Sequence, residues 1–482
     1  MFISIPLKLR HRMKRLNKKF FITALLLVGC AHEAAVRPDG LAPVSEFAHA
    51  TTGNKTADAE WWKSFQDSAL DGLVERALKG NPDLAIAQAH WREARAAVAA
   101  VNAQLLPRVD AQASFQSNRT SADSGRNFTG MPRRFDTLTV GGQVNWELDL
   151  WNRSGLNSEA AMAEAVAAGY SVENARVSLI AEVSRLWFAV QAARVDVHCL
   201  SNEFKARYRE AEITEKAVQA GLLSTDPLSS AQLAAAQAKL DELNAARRLV
   251  GYESALRALI GASQNEKLPE TNYAEAKIKK ARPGFGAGIP SQLLLTRPDL
   301  AAASVKLDAA MSREGAARTD FYPTVTLNGQ LGWQADPASR IGRGSSGFWS
   351  LMPAVDIPIF DGDRREAQLE VARSRIDLAG AEWRKAVFNA FREVEVTLVD
   401  IKELEDEAKL AERVLEAVTS RLQNAKTRFA AGVADEREVV IAVRDQSMAR
   451  RTHADLELEL CQATVRLAAA TGGGWSTLVS KP

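Results

Sequence analysis

The second half of this chain restates the first, and each half holds only two segments patterned as strands. Asn81-Pro82-Asp83-Leu84-Ala85 recurs as Arg297-Pro298-Asp299-Leu300-Ala301, and Pro107 recurs as Pro323 at the same distance beyond. Later landmarks repeat at a step of 211 residues: Gly221 with Gly432, and Gly261 with Gly472. The step changes between the prolines and the glycines, where a connecting loop can differ in length. The duplication divides the chain into a first repeat, 60–262, a Pro/Gly-rich linker, 263–290, a second repeat, 291–475, and a short tail, 476–482.

Each repeat predicts helix, strand, loop, strand, very long helix, turn, helix. The strand segments alternate at period two. In 108–116, Val109, Ala111, Ala113 and Phe115 alternate with Asp110, Gln112, Ser114 and Gln116. The spans 137–151, 324–334 and 348–360 alternate in the same way. Strands of this length cross an outer membrane when tilted. A soluble β-sandwich gives the same alternation, but four strands make a thin sandwich, and each pair is set between long helices. Polar loops rich in Gly and Ser, 117–136 and 336–347, join the strands within a pair.

The helices carry a second signal. Val183, Val190, Val197, Phe204, Ala211 and Val218 fall at seven-residue steps, and Val387, Val394, Ile401, Ala408, Leu415, Leu422 and Phe429 do the same. A strict heptad kept over this length means supercoiled helix pairing. A helix of this length is roughly 100 Å long. A barrel strand in lipid needs both edges paired, because an unsatisfied backbone amide there costs several kcal/mol. Four strands cannot close a membrane barrel, since about eight is the lower bound. The barrel must therefore be shared, and three copies give twelve strands around a lumen. The expected fold is a membrane protein that is mainly helical. Its long coiled-coil helices form a trimeric α-barrel, and its four strands per chain contribute to a twelve-stranded transmembrane β-barrel.

The N-terminus reads as a targeting signal. Met13 to Lys19 is basic and Phe20 to Gly29 is apolar, too short to span a bilayer. It ends Leu27-Val28-Gly29-Cys30, which resembles the lipobox of bacterial lipoproteins; such a signal, here 1–29, is cut before the cysteine, which is then acylated. Cys30 is the expected lipidation site, opening an extended segment, 30–59, and Ala31 after it favours the outer membrane. Met13 competes with Met1 as the natural start.

Charge is balanced, with 61 Lys and Arg against 59 Asp and Glu, so no basic field points to nucleic acid. Cys199 and Cys461 lie in apolar helical stretches and read as small buried hydrophobes. The histidines show no ligand spacing, and no metal, cofactor or catalytic site is expected. Gly342-Arg343-Gly344-Ser345-Ser346-Gly347 matches a dinucleotide fingerprint in form, but it sits between two strands instead of between strand and helix. Asp361-Gly362-Asp363 reads as a turn with Asp363 as a helix N-cap. Trp146, Trp151, Trp333 and Trp349 fit interface girdle positions, with plain packing the competing reading for Trp151. Trp61-Trp62 reads as packing ahead of the first helix.

In this order the motifs resemble the TolC/OprM family of outer-membrane efflux proteins, in its lipoprotein branch. They are Trp61-Trp62-Lys63-Ser64-Phe65 with Asp67 and Leu70, Asn81-Pro82-Asp83-Leu84, Trp146-Glu147-Leu148-Asp149-Leu150-Trp151, Pro358-Ile359-Phe360-Asp361-Gly362, and Gly472-Gly473-Gly474-Trp475. The resemblance implies a homotrimer and a passive duct for drugs, toxic compounds or metal ions. It also implies as partners a periplasmic adaptor and an inner-membrane resistance-nodulation-division transporter, with outer-membrane lipids around the barrel. The helix-turn-helix tips that face the adaptor in the family fall here on Gly221, Leu222 and Ser224, and on Gly432, Val433 and Asp435. Family members narrow the tube with acidic residues six and nine positions after the second tip glycine; here these are Glu438 and Ile441, and a tyrosine of some members is Phe429. Glu438 is expected to keep part of the gating role beside a more apolar ring at Ile441. A duct for secreted proteins and a structural lipoprotein rod are the alternatives.

Overall fold

The computed structural model describes residues 47–48, 58–121, 133–269, 296–336, 338–473 and 475, all within one compact unit, Asp39–Pro482. Cys30, the expected lipidation site, the expected signal segment and most of the expected inter-repeat linker lie outside the described residues. In chain order the elements are α1 (Ser68–Gly80), α2 (Pro82–Asn102), β1 (Arg108–Arg119), β2 (Arg134–Leu148), α3 (Arg153–Gln219), α4 (Thr225–Leu259), α5 (Pro298–Thr319), β3 (Thr324–Ala335), β4 (Gly347–Asp356), α6 (Arg364–Ala430) and α7 (Glu436–Ala470). Among the described residues no helix is long and apolar enough to cross a membrane.

The duplication is physical. α3 and α6 are each 67 residues long, and α4 and α7 are each 35. Each member of a pair starts and ends 211 residues after its counterpart. The stretch from the end of β1 to the start of α3, 120–152, is five residues longer than its counterpart from β3 to α6, 336–363, which absorbs the change of step from 216 to 211. The long helices end alike. Gly221 and Gly432 sit at positive φ, 73° and 70°. In each case the amide of the next residue reaches back to close the turn, Leu222 to Ala217 O at 2.8 Å and Val433 to Arg428 O at 3.0 Å. Only glycine takes this left-handed C′ position without steric cost.

The strands differ from the expected spans at their ends. β1 runs on to Arg119 and β3 to Ala335. β2 starts earlier, at Arg134, and stops at Leu148 instead of residue 151. Capping ends it: Asp149 accepts hydrogen bonds from the amides of Ser154 and Gly155, opening α3. β4 stops at Asp356 instead of residue 360, where Pro358 lacks an amide to extend the ladder. Asp363 does occupy the N-cap position of α6, but its side chain makes no capping bond. Its φ is 65°, left-handed, whereas a capping side chain needs an extended backbone to reach the helix amides.

The four strands form one antiparallel sheet in the order β1-β2-β3-β4. Register puts Val109, Val144, Gly329 and Leu351 in one row, and Phe115, Leu138 and Ala335 in another, so the alternating apolar positions of the four strands share a face, with Phe348 and Met352 of β4 on the other. Gln112, Gln143, Asn145, Asn328, Gln330 and Ser350 share the other. Neither face is covered: β1 and β4 are exposed at nearly every residue. A sandwich would bury one face, so the soluble alternative fails here. From Val325 to Ala335 the apolar face extends ~33 Å along the strand at ~3.3 Å per residue, or about 25 Å of height at a tilt near 40°.

The helices repeat the pattern of open rows. Toward the strands the packing order is α2, α3, α5, α6; toward the tips it is α4, α3, α7, α6. Among the described residues the second row stops at α4 and α6. Both outer helices carry exposed apolar side chains: Leu233, Leu240, Leu243 and Val250 on α4, and Phe388, Val396, Leu410 and Val414 on α6. Burying one such side chain is worth about 1.5–3 kcal/mol. The heptad positions Val183, Val190, Val387, Val394, Ala408 and Leu422 are buried along the seam inside the row.

The core lies where the two rows meet. Trp61, Trp62, Phe65, Leu70 and Val74 pack against Ile180, Val183, Trp187 and Phe188 of α3, and against Cys461 and Val465 of α7. Trp61 and Trp62 are both buried and meet edge to face at 6.3 Å. Asp67 joins the layers: it caps α1 at the amides of Ala69 and Leu70 and accepts the Trp187 indole N–H at 2.8 Å. Cys199 and Cys461 are buried thiols outside any disulfide, and burial pushes the Cys199 thiol up to about 11.

Candidate functional site

The polar sheet face and the helix tips are the two places where this chain can meet a solute. The polar face carries neutral amides and hydroxyls with few fixed charges. At its lower rim Arg108 pairs with Asp110 at 2.9 Å, and Arg153 grips Glu147 through two contacts of 2.7 and 2.9 Å. Those charges are neutralised locally, which leaves a wetted wall without a strong field. The apolar face ends in aromatic residues. Trp333 and Trp349 are exposed, Trp349 to 80%. Trp151 packs instead, stacked on Tyr322 with ring centroids 5.1 Å apart and donating to Pro323 O. Trp146 is tied by its indole N–H to Leu105 O at 3.1 Å. The glycine-rich 342–347 segment leads from the β3–β4 connection into Gly347, the first residue of β4, and includes a single 3-10 turn, Gly344–Ser346.

The tips match residue for residue. Leu222 and Val433, 211 residues apart, are exposed to 75% and 67%. Asp435 caps α7 at the Arg437 amide, whereas Ser224 holds the N-cap position of α4 without a side-chain bond. Of the candidate aperture residues, Phe429 is exposed, Ile441 is half-buried on α7, and Glu438 is exposed but not free. Arg428, one residue before Phe429, pairs with Glu438 at 3.1 Å and so bridges α6 to α7. The apolar seam of Leu422, Ala425 and Ala442 lies just behind.

A second bridge, invisible in the sequence because its partners lie 227 residues apart, ties α3 to α7. Arg209 donates to both carboxylate oxygens of Glu436, at 2.7 and 3.0 Å, and to Glu212 at 2.9 Å. The hydrogen bonds from Arg209 hold the Glu436 carboxyl below its ordinary value of 4.5, and those to Glu436 and Glu212 raise the guanidinium. The sign follows. A depressed carboxylate stabilises the folded tip at pH above 4.5, and that stabilisation is lost as pH falls through the lower folded value. Amide protection at the start of α7, referenced to the intrinsic exchange rate at each pH, is expected to fall on acidification in the native chain. In Arg209→Gln it should already be slightly lower at neutral pH and respond less to acid. Equal pH profiles in the two proteins would remove the bridge from the account. Both groups are solvated, so the effect is small.

A chain whose strands present one wet and one greasy face, and whose edges stand open, is a channel-forming protein of an outer membrane. Comparison with known proteins agrees. The family described as outer membrane efflux protein matches residues 73–262 and 289–473. The chain belongs to that family. It is 27% identical over 459 residues to the cation efflux system protein CusC of Escherichia coli strain K12, covering 94% of this chain and 98% of the relative. It is 28% identical over 477 residues to the pyoverdine export outer membrane protein OpmQ of Pseudomonas aeruginosa, covering 96% and 98%. The CmeC outer membrane channel of Campylobacter jejuni superposes with a TM-score of 0.84 at 23% identity, covering 94% of this chain and 97% of that one. The open state of the MtrE channel of Neisseria gonorrhoeae superposes with a TM-score of 0.77 at 26% identity, covering 91% and 98%. The fold class expected from the sequence is the one these channels carry, and the protein is an outer-membrane efflux channel.

Proposed function

We propose that three copies close edge to edge into one duct, β4 of each beside β1 of the next, with α4 and α6 closing the helical tube in the same way. The open-edged, uncovered sheet carries this reading: in lipid its edge amides and carbonyls are satisfied only by a neighbouring strand. The duct conducts passively and receives its cargo from an inner-membrane pump through a periplasmic adaptor. The adaptor docks on the paired tips, where Leu222 and Val433 offer apolar knobs beside glycine turns. Acylated Cys30 anchors the chain to the outer membrane. The cargo class is small molecules and metal ions, in keeping with relatives named for cation efflux, toluene efflux and pyoverdine export. A wall of neutral amides and hydroxyls offers little to discriminate one cargo from another, which leaves selection to the pump.

Purified protein in planar bilayers is expected to open discrete conductances and to migrate as a trimer when cross-linked. A structural rod gives neither, and a monomeric, silent protein would overturn the proposal.

Glu438 sets the charge of the aperture, and Arg428 offsets it. Three like charges near a threefold axis attract cations. Glu438→Ala is expected to lower the cation-to-anion permeability ratio a few-fold, and Arg428→Ala to raise it by unmasking the carboxylate. Reversal potentials in asymmetric salt read both, and unchanged ratios would mean that Glu438 is a surface charge.

A further inference from the structure

Above its apolar band the outward face of the sheet changes character. The paired rows of β1 and β2 run Phe115 with Leu138, then Ser117 with Asp136, then Arg119 with Arg134. Arg119 and Arg134 therefore stand directly opposite each other, on the face that carries Phe115 and Trp333. Both are exposed. Arg134 lies 3.7 Å from Asp136, and among the described residues Arg119 has no ion pair. Like charges directly opposite on neighbouring strands destabilise the pairing unless an anion sits between them. The chain adds exposed Arg133 beside them, and exposed Arg340 and Arg343 in the connection from β3 to β4.

Height identifies the anion. Arg134 is four residues beyond Leu138, which at ~3.3 Å per residue and a tilt near 40° lies about 10 Å past the apolar edge. That is the headgroup layer of the outer leaflet.

We propose that the outward arginine pair Arg119 and Arg134, with Arg133 next in the chain and Arg340 and Arg343 adding positive charge at the same end of the sheet, binds the phosphate groups of anionic lipids in the outer leaflet. Guanidinium groups present a planar fork that matches phosphate oxygens. The ligand is lipid-linked phosphate and not free phosphate because a single row, Ser117 with Asp136, separates the cationic row from exposed Phe115 at the edge of the apolar band, where an acyl chain lies against the barrel. The inference rests on the membrane placement proposed above.

Native mass spectrometry of the full-length protein in detergent with EDTA, titrated with diphosphoryl lipid A and with the same lipid stripped of its phosphates, tests it. The native protein is expected to prefer the phosphorylated lipid at least tenfold. Arg119→Gln/Arg134→Gln should lose most of that preference, and Arg119→Lys/Arg134→Lys should retain part of it. No preference in the native protein, or full preference in the Gln variant, overturns the proposal. Displacement of lipid A by millimolar inorganic phosphate overturns the lipid assignment. Conductance in phosphatidylcholine bilayers separates the two readings: a native protein that conducts but shows no preference sinks only the lipid site, and a silent one sinks the duct.

Discussion

Trp187→Ala is expected to cost about 3–5 kcal/mol, the range for removing a fully buried aromatic side chain from a core that cannot collapse around the gap. Trp187 is buried in the cluster that joins α1, α3 and α7, with Phe65 packed against neighbouring Phe188 at 5.0 Å between centroids. Its loss also strips Asp67 of its 2.8 Å indole donor while that carboxylate caps α1. Trp187→Phe separates the two effects: most packing stays and only the bond to a charged acceptor goes, about 1.5–3 kcal/mol. Denaturant unfolding of the detergent-solubilised protein, followed by helical circular dichroism, gives both values. A cost below about 1 kcal/mol for Trp187→Ala would mean that this cluster does not hold the two rows of helices together.

Gly332→Ala is expected to prevent assembly outright. Gly332 pairs with Gly141 across β2 and β3, the one ladder that joins the two repeats within the sheet. A Cβ at Gly332 would lie 2.4 Å from Val140 O and 2.6 Å from Gly141 Cα, and one at Gly141 would lie 2.4 Å from Leu331 O. These contacts are with backbone, so a rotamer change cannot relieve them. The strands must separate, and the lost ladder bonds would face a medium with no water to replace them. Cross-linked trimer in the membrane fraction should fall at least tenfold. Gly329→Ala on the same strand is the control, because its Cβ would meet only Leu351 Cδ1 at 3.6 Å and looser neighbours. Equal trimer yields from the two variants would refute the role given to the glycine pair.

The duplication, the alternation and the heptads were legible because each repeats a local rule. An alternating strand shows its two faces at every second residue, and a supercoiled helix shows its seam at every seventh. Register then confirmed that the alternating apolar residues of the four strands share a face. The step of 211 likewise marks both tip glycines, Gly221 and Gly432, which sit at positive φ. Local chemistry that competes at element ends was less legible. Asp149 looked like one more strand residue, yet it caps α3 and stops β2. Asp363 looked like a cap and is held left-handed without a capping bond.

The bonds that decide how the pieces meet were not legible at all. Asp67 with Trp187, Arg428 with Glu438 and Arg209 with Glu436 join residues of different helices, and no periodicity links them. Each is a short-range interaction that exists only after the long helices have been laid side by side. The amino-acid order alone therefore determined the kind of protein, because faces and lengths are properties of single segments. Which charges are spent inside one protomer, and which edges stay open for a neighbour, only the tertiary structure decided, because pairing depends on distances of a few ångströms between parts of the chain hundreds of residues apart.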